Sequence, residues 1–160
     1  MNQPRHPTDR LFESNPFDHS DAAQALFRES FVASAEAHFS GNRFFKGIWE
    51  EAGMQPRQIK SEADLDKVPA IMVNLFKEQE LMTGPREDVV LTLTSSGTGG
   101  QKSQIFLNQE SLKRVKRLAW QIHAALGMTS DDEVNYLCFT YDPAVATNLG
   151  TAFTDELLTS

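Results

Sequence analysis

The sequence is poor in cysteine, in positive charge and in long hydrophobic runs. It has one cysteine among 160 residues, which excludes an internal disulfide framework and suits a reducing compartment. No apolar run approaches the length of a membrane span, and the N-terminus lacks a secretion signal. Only 15 Lys and Arg face 22 Asp and Glu, for a net charge of −7, and nucleic-acid binding needs a basic surface. We therefore expect a cytoplasmic protein that binds neither nucleic acid nor membrane.

One segment of the sequence is rich in glycine and hydroxyl residues, and it lies between two apolar runs. Glycine allows a positive φ and close approach of the backbone to a ligand, and successive exposed N–H groups form an anion nest. Hydroxyls add donors, and one lysine adds a full charge. The pattern predicts a phosphate-binding loop formed by Thr94, Ser95, Ser96, Gly97, Thr98, Gly99, Gly100 and Lys102.

This loop is not a Walker A motif. That motif requires Gly directly before Lys and a helix after it, whereas Gln101 precedes Lys102 here and an alternating, strand-like run follows. The sequence thus predicts a loop between two strands. A hairpin turn without a ligand is the simpler alternative, but the loop has more glycines and hydroxyls than a turn requires.

The periodicities predict an α/β fold in which an N-terminal helical part packs on a small mixed sheet. A stripe of Phe27, Phe31, Ala35 and Phe39 indicates a helix over 21–39, closed by Gly41. The other expected helices are about 42–52, a short one capped by Ser61 and Asp64, 73–81, and about 109–126 with Asn108 as its cap. Strands are expected at about 89–94, 103–107 and 134–141, the last two joined by a right-handed βαβ crossover.

The expected organisation is an extended or disordered lead-in over 1–19 and a single α/β domain over 20–160. Ligands of parallel sheets bind at the carboxyl ends of strands, which makes Tyr141 a candidate substrate-binding residue. The sequence shows no metal-ligand cluster and no acid–base pair, so it indicates no metal site and no catalytic residue. Cys138 lies between apolar residues of a predicted strand, where a thiol is inert, and we reject it as a nucleophile.

The helix after the loop carries a basic run of Lys113, Arg114, Lys116 and Arg117. Such a run could be a wall for a polyphosphate or for a carrier partner. It could also be a solvated helix face, which is the commoner origin of a charge run and the interpretation we favour.

The stretch Thr94–Ser103 resembles the ATP-phosphate loop of adenylate-forming enzymes, and most closely that of the acyl-protein synthetase (LuxE-like) branch. Two departures are visible: Gly99 stands where the family has a second threonine, and Lys102 arrives one place early. The order of elements upstream is also similar, so the resemblance covers roughly residues 21–158, although only the loop is specific.

The resemblance implies a part of the large domain of an acid–thiol ligase. It implies formation of an acyl-adenylate from ATP, with Mg²⁺, and a fatty acid or other carboxylate, followed by acyl transfer to an acceptor protein or thiol. In that family the other pockets and the catalytic residues follow the loop. We therefore expect an N-terminal piece that is inactive without the remainder of its parent chain. A small nucleotide- or anion-binding module, and a structural or partner-binding domain without a ligand, remain alternatives.

Overall fold

The computed structural model describes residues 6–95, 102–135, 137 and 153. These residues divide into two compact units. The first holds residues 6–72 and 81–85, and the second holds residues 73–80 and the described residues from Arg86 onward. Each unit has its own elements, and the mixed helix-and-strand class predicted from the sequence is confirmed.

The first unit is helical. It contains four α-helices, α1 to α4, and a 3-10 turn. Their bounds are Pro7–Leu11, Asp21–Gly41, Arg43–Glu51 and Glu62–Leu65, with the 3-10 turn at Pro56–Gln58 between the last two.

The core of the first unit forms where α2, α3 and the segment after the 3-10 turn meet. Ala35, Trp49 and Ile59 are the buried apolar residues at its centre, and Trp49 is only 1% exposed. Half-buried Phe31, Val32, Phe39, Phe45, Met54, Leu65 and Val68 surround them. The predicted apolar stripe of α2 is therefore correct over its later turns. Phe27, at its start, is 48% exposed and belongs to the surface.

The junction of α2 and α3 depends on one asparagine. The Asn42 N–H donates to the His38 carbonyl and so ends α2, while its side chain accepts from the Phe45 N–H at 2.9 Å and so begins α3. Its side-chain amide also donates to the carbonyl of Met82 at 2.9 Å. A polar residue that satisfies both helix ends explains the tight turn without a linker.

Gly41 was predicted to end α2 as the glycine that follows the helix. The helix does end there, but Gly41 does not act as its cap. Gly41 is the last helical residue and Asn42 is the cap. A Cβ at position 41 would lie 2.7 Å from Cγ2 of Thr83, so the position needs glycine because another segment approaches it closely. The positive φ typical of a glycine stop occurs instead at Gly53 and Gly127.

Within residues 1–19, where an extended or disordered lead-in is predicted, Pro7–Leu11 form the helix α1. Proline in its first turn and the His6 side chain, which accepts from the Thr8 N–H, start this helix. The Thr8 hydroxyl lies 3.1 Å from that of Ser34 on α2. Docking on a longer helix offsets the weak helix-forming tendency of so short a segment.

The second unit contains helix α5 (Leu75–Glu78), a 3-10 turn (Arg86–Asp88), strands β1 (Val89–Thr94) and β2 (Gln104–Asn108), and helix α6 (Gln109–Ala125). The strands pair antiparallel, with Leu91 opposite Leu107 and Thr94 opposite Gln104. β2 runs directly into α6, and the Asn108 side chain caps that helix by accepting from the Ser111 N–H at 2.8 Å, as predicted.

The predicted third strand and its βαβ crossover stay a prediction. Val134, Asn135 and Leu137 are not in a strand, and the rest of 134–141 lies outside the described residues. The sheet that the structure describes is two-stranded and antiparallel.

In the described part of the chain no helix combines the length and the apolar character needed to cross a bilayer.

Candidate functional site

The predicted phosphate loop lies in sequence between the two strands of the hairpin, as expected. Of the predicted site residues, Thr94, Ser95 and Lys102 are described by the structure. Ser96, Gly97, Thr98, Gly99 and Gly100 lie outside the described residues, and so does Tyr141. The structure therefore defines the base of the loop and the two chain segments that enter and leave it.

The base of the loop is closed by two serines. The Ser95 N–H donates to the Ser103 carbonyl at 3.1 Å, and the Ser103 N–H donates to Oγ of Ser95, also at 3.1 Å. Ser95 and Ser103 continue the register of the strand pairs, in which Thr94 faces Gln104. This serine neck brackets residues 96–102. Ser103 was not among the predicted site residues, although its position at the far end of the hydroxyl run was a signal.

The hydrogen bonds of the neck determine which nearby groups can still donate to a bound anion. The Ser95 N–H is used by the Ser103 carbonyl, so this amide belongs to the hairpin and not to an anion site. The Ser95 hydroxyl oxygen accepts a bond, which leaves its proton free to be donated. An anion held by this loop would therefore find a hydroxyl donor at Ser95 and would need its backbone donors from later positions.

Lys102 is the last of the bracketed residues and is exposed. It precedes Ser103 by one residue, so the ammonium group is attached next to the closed neck. A compact charge on a flexible stem can follow a phosphate group over several ångströms.

The hairpin is supported from one side by an arginine that sequence reasoning missed. The Arg86 guanidinium lies 5.5 Å from the centroid of the Phe106 ring on β2 and forms an ion pair with Glu80. An arginine stacked on an aromatic ring stabilises the packing of the strand beneath it. Arg86 follows Pro85 in a stretch without periodicity, so no local signal indicated this contact.

The basic run on α6 begins at the end of the hairpin opposite to the loop. β2 carries the chain away from Ser103 for about 17 Å before the helix starts. Lys113 is exposed and pairs with Glu110 of the same helix at 2.8 Å. This local pair favours the solvated-face interpretation for that residue.

In the described ranges no group of three or more His, Cys, Asp or Glu side chains could hold a metal ion. The described titratable groups with shifted pKa values belong to the first unit, whereas the hairpin belongs to the second. They are Asp18, His38 and Asp64, all in the first unit. The described residues of the predicted site include a hydroxyl group, that of Ser95, and one positive charge, that of Lys102.

The architecture defines a mixed helix-and-strand protein that presents a glycine- and hydroxyl-rich loop from an antiparallel hairpin. The family model described as Acyl-protein synthetase, LuxE, matches residues 5–157. The chain therefore belongs to the LuxE acyl-protein synthetase family. No curated protein matches the sequence.

Proposed function

We propose that this chain supplies the ATP-phosphate loop of a carboxylate-activating enzyme, in which a fatty acid or other carboxylate becomes an acyl-adenylate before transfer to a protein thiol. The observation that carries the proposal is the serine neck. It holds two strands together at the base of a loop rich in glycine and hydroxyls, in a chain of the acyl-protein synthetase family.

The neck explains how such a loop could bind phosphate at modest entropic cost. Two hydrogen bonds fix both ends of the bracketed segment, so fewer conformations are lost when an anion binds. The Ser95 hydroxyl and the Lys102 ammonium would donate to phosphate oxygens, with backbone N–H groups of residues 96–100 completing the nest. In the reaction a carboxylate oxygen attacks the α-phosphorus and pyrophosphate leaves, while the loop neutralises the charge of the leaving group.

The Mg²⁺ that accompanies ATP usually keeps water ligands and contacts the substrate phosphates, with one or two carboxylates from the protein. Nucleotide binding by the loop therefore does not require a dedicated metal cluster near the hairpin. We propose that Mg²⁺ reaches the site as its complex with ATP.

The central test is titration of the 160-residue chain with Mg·ATP by isothermal calorimetry. We expect saturable binding that Lys102→Ala weakens about tenfold, because a charge-assisted contact is lost. Gly97→Ala should also weaken it, because a side chain would enter the nest. Lys113→Ala is the matched control, since it removes an exposed lysine from α6, and it should leave the affinity unchanged.

A second variant in the same titration, Ser95→Ala, tests the role of the serine neck. It removes both the acceptor for the Ser103 N–H and a hydroxyl donor, so we expect weaker ATP binding in a protein that remains folded by circular dichroism. Pyrophosphate exchange with fatty acids should stay at background for this chain alone. Absence of any nucleotide binding would favour a hairpin without a ligand, and binding of phosphate and ATP alike would favour a general anion-binding module.

A further inference from the structure

A second candidate site lies in the first unit, whereas the hairpin belongs to the second. It is a groove of about 590 Å³ along one face of α2, closed on its other side by α1 and by the segment that follows the 3-10 turn. Ala25, Arg28, Val32 and Glu36 lie along α2 at helical spacing, while Arg57 and Lys60 form the opposite edge and Ile59 lies on the floor. From Ala25 to Glu36 the groove extends for about 16 Å.

The groove is locally positive in an acidic chain. Arg28, Arg57 and Lys60 line it, in a protein whose net charge is −7. Two acidic residues, Glu29 and Glu36, also line the groove. The charge of Glu29 is paired with Arg10 at 3.5 Å, so the three lining cations exceed the carboxylates of the groove. A cluster of basic side chains on a protein of negative net charge is typical of a surface that binds an acidic partner.

One of these cations is already oriented. Nε of Arg57 donates to the side-chain oxygen of Gln55 at 2.8 Å, which leaves the two terminal nitrogens of the guanidinium for a carboxylate. The backbone N–H of the neighbouring Lys60 donates to Asp64 at 3.0 Å and fixes the chain that carries the second charge. A guanidinium oriented in advance loses less entropy when it binds.

The floor is apolar and the edges are open. Ile59 is buried at 3% exposure and Val32 is half-buried, whereas Arg57, Lys60 and Glu36 are exposed. A small molecule in so open a groove would leave much of its surface in water, while pockets for small ligands usually bury most of it. A segment of a partner protein covers such a groove better. Extended, about five of its residues would span the length of the groove.

We propose that this groove binds an acidic segment of a partner protein, with its carboxylates on Arg28, Arg57 and Lys60 and an apolar side chain on Val32 and Ile59. The proposal is independent of ATP binding, because the groove and the hairpin belong to different units. The two assays can therefore fail separately.

The test is fluorescence anisotropy of the full chain with a labelled peptide of alternating glutamate and leucine. We expect saturable binding that weakens with salt and that Arg57→Glu combined with Lys60→Glu weakens at least about tenfold. Arg43→Glu combined with Lys77→Glu makes the same change in net charge at exposed sites outside the groove, and it should leave the affinity within about twofold. Thermal melts verify that both variants fold.

Two peptide controls separate the parts of the proposal. Replacing glutamate by lysine should abolish binding, and replacing leucine by serine should weaken it. The proposal is overturned by a lack of saturable binding or by equal losses in the two double variants. It is also overturned if submicellar laurate binds in an Arg57- and Lys60-dependent way while the peptide does not, or if sedimentation shows that the groove is filled by a second copy of this chain.

Discussion

The two units of the chain differ in how completely they bury their apolar side chains. In the first unit Ala35, Trp49 and Ile59 are buried and seven half-buried apolar residues surround them. Among the described residues of the second unit, Leu107 alone is buried, and Val90 and Ile105 are each 52% exposed. The comparison teaches that buried apolar side chains stabilise the helices of the first unit. The stability of the hairpin that carries the candidate loop depends more on hydrogen bonds and on partly exposed contacts.

The sharpest way to break this comparison is to truncate the most buried residue of each unit. Trp49→Ala should cost about 3–5 kcal/mol, because it removes a large ring from a closed core. Leu107→Ala should cost about 2 kcal/mol, the lower end for such a change, because its neighbours are half-exposed and can relax. Urea denaturation followed by circular dichroism measures both free energies of unfolding. Equal costs would show that the second core is as closed as the first.

The second prediction concerns the close approach at Gly41. Gly41→Ala should destabilise the first unit by about 1–3 kcal/mol, because the new methyl group meets Cγ2 of Thr83 at 2.7 Å. Thr83→Ser removes that methyl and keeps the hydroxyl 2.7 Å from Nδ1 of His38. In the Thr83→Ser background the same alanine should become neutral or stabilising, since alanine favours a helix by about 1 kcal/mol over glycine. A double variant no better than Gly41→Ala would disprove the clash.

The third prediction is a pH dependence of the first unit. Burial lowers the pKa of His38 from its ordinary value of 6.5, and its ring contacts Phe45 at 5.6 Å between centroids. The unfolded chain therefore binds this proton more readily than the folded chain. Stability from His38 is complete above about pH 6.5 and is lost as the pH falls through that value toward the lower folded pKa.

His38→Gln should flatten the dependence of the melting temperature on pH between about 7.5 and 5. His19→Gln is the matched control, because the hydrogen bond at His19 is accepted by its carbonyl, from Gln24, whereas the His38 ring contacts Phe45. If the two variants change the profile alike, the proton is not taken up at His38.

The smallest expected effect is at the cap of α4. The Lys60 N–H, the Lys67 ammonium and Ser61 hold the pKa of Asp64 well below its ordinary value of 3.8. Asp64→Asn should lower the melting temperature slightly at neutral pH, because an amide caps less well than a carboxylate. The difference from the wild type should narrow below about pH 4, where the wild-type carboxylate begins to lose its advantage. A difference that widens on acidification would contradict this assignment.

Local patterns in the sequence were sufficient for much of the fold. The helices α2 and α6, the Asn108 cap and the Ser61–Asp64 capping box depend on residues three or four positions apart, and all are present. The apolar stripe of α2 is correct only over its later turns, because Phe27 at its start is exposed. The strand β1 has its predicted bounds, and β2 begins one residue later than expected. The βαβ crossover and Tyr141 stay predictions.

The sequence by itself determined that glycines and hydroxyls stand between two strands, because composition and alternation are local properties. Only the tertiary structure decided that Ser95 and Ser103 close the base of this loop and that Gly41 makes room for Thr83. It also placed Arg57 and Lys60 beside α2. These contacts join residues at least eight positions apart in the sequence, and no local pattern specifies them. They are fixed when the helices pack and the strands pair, since the register then sets which polar groups meet.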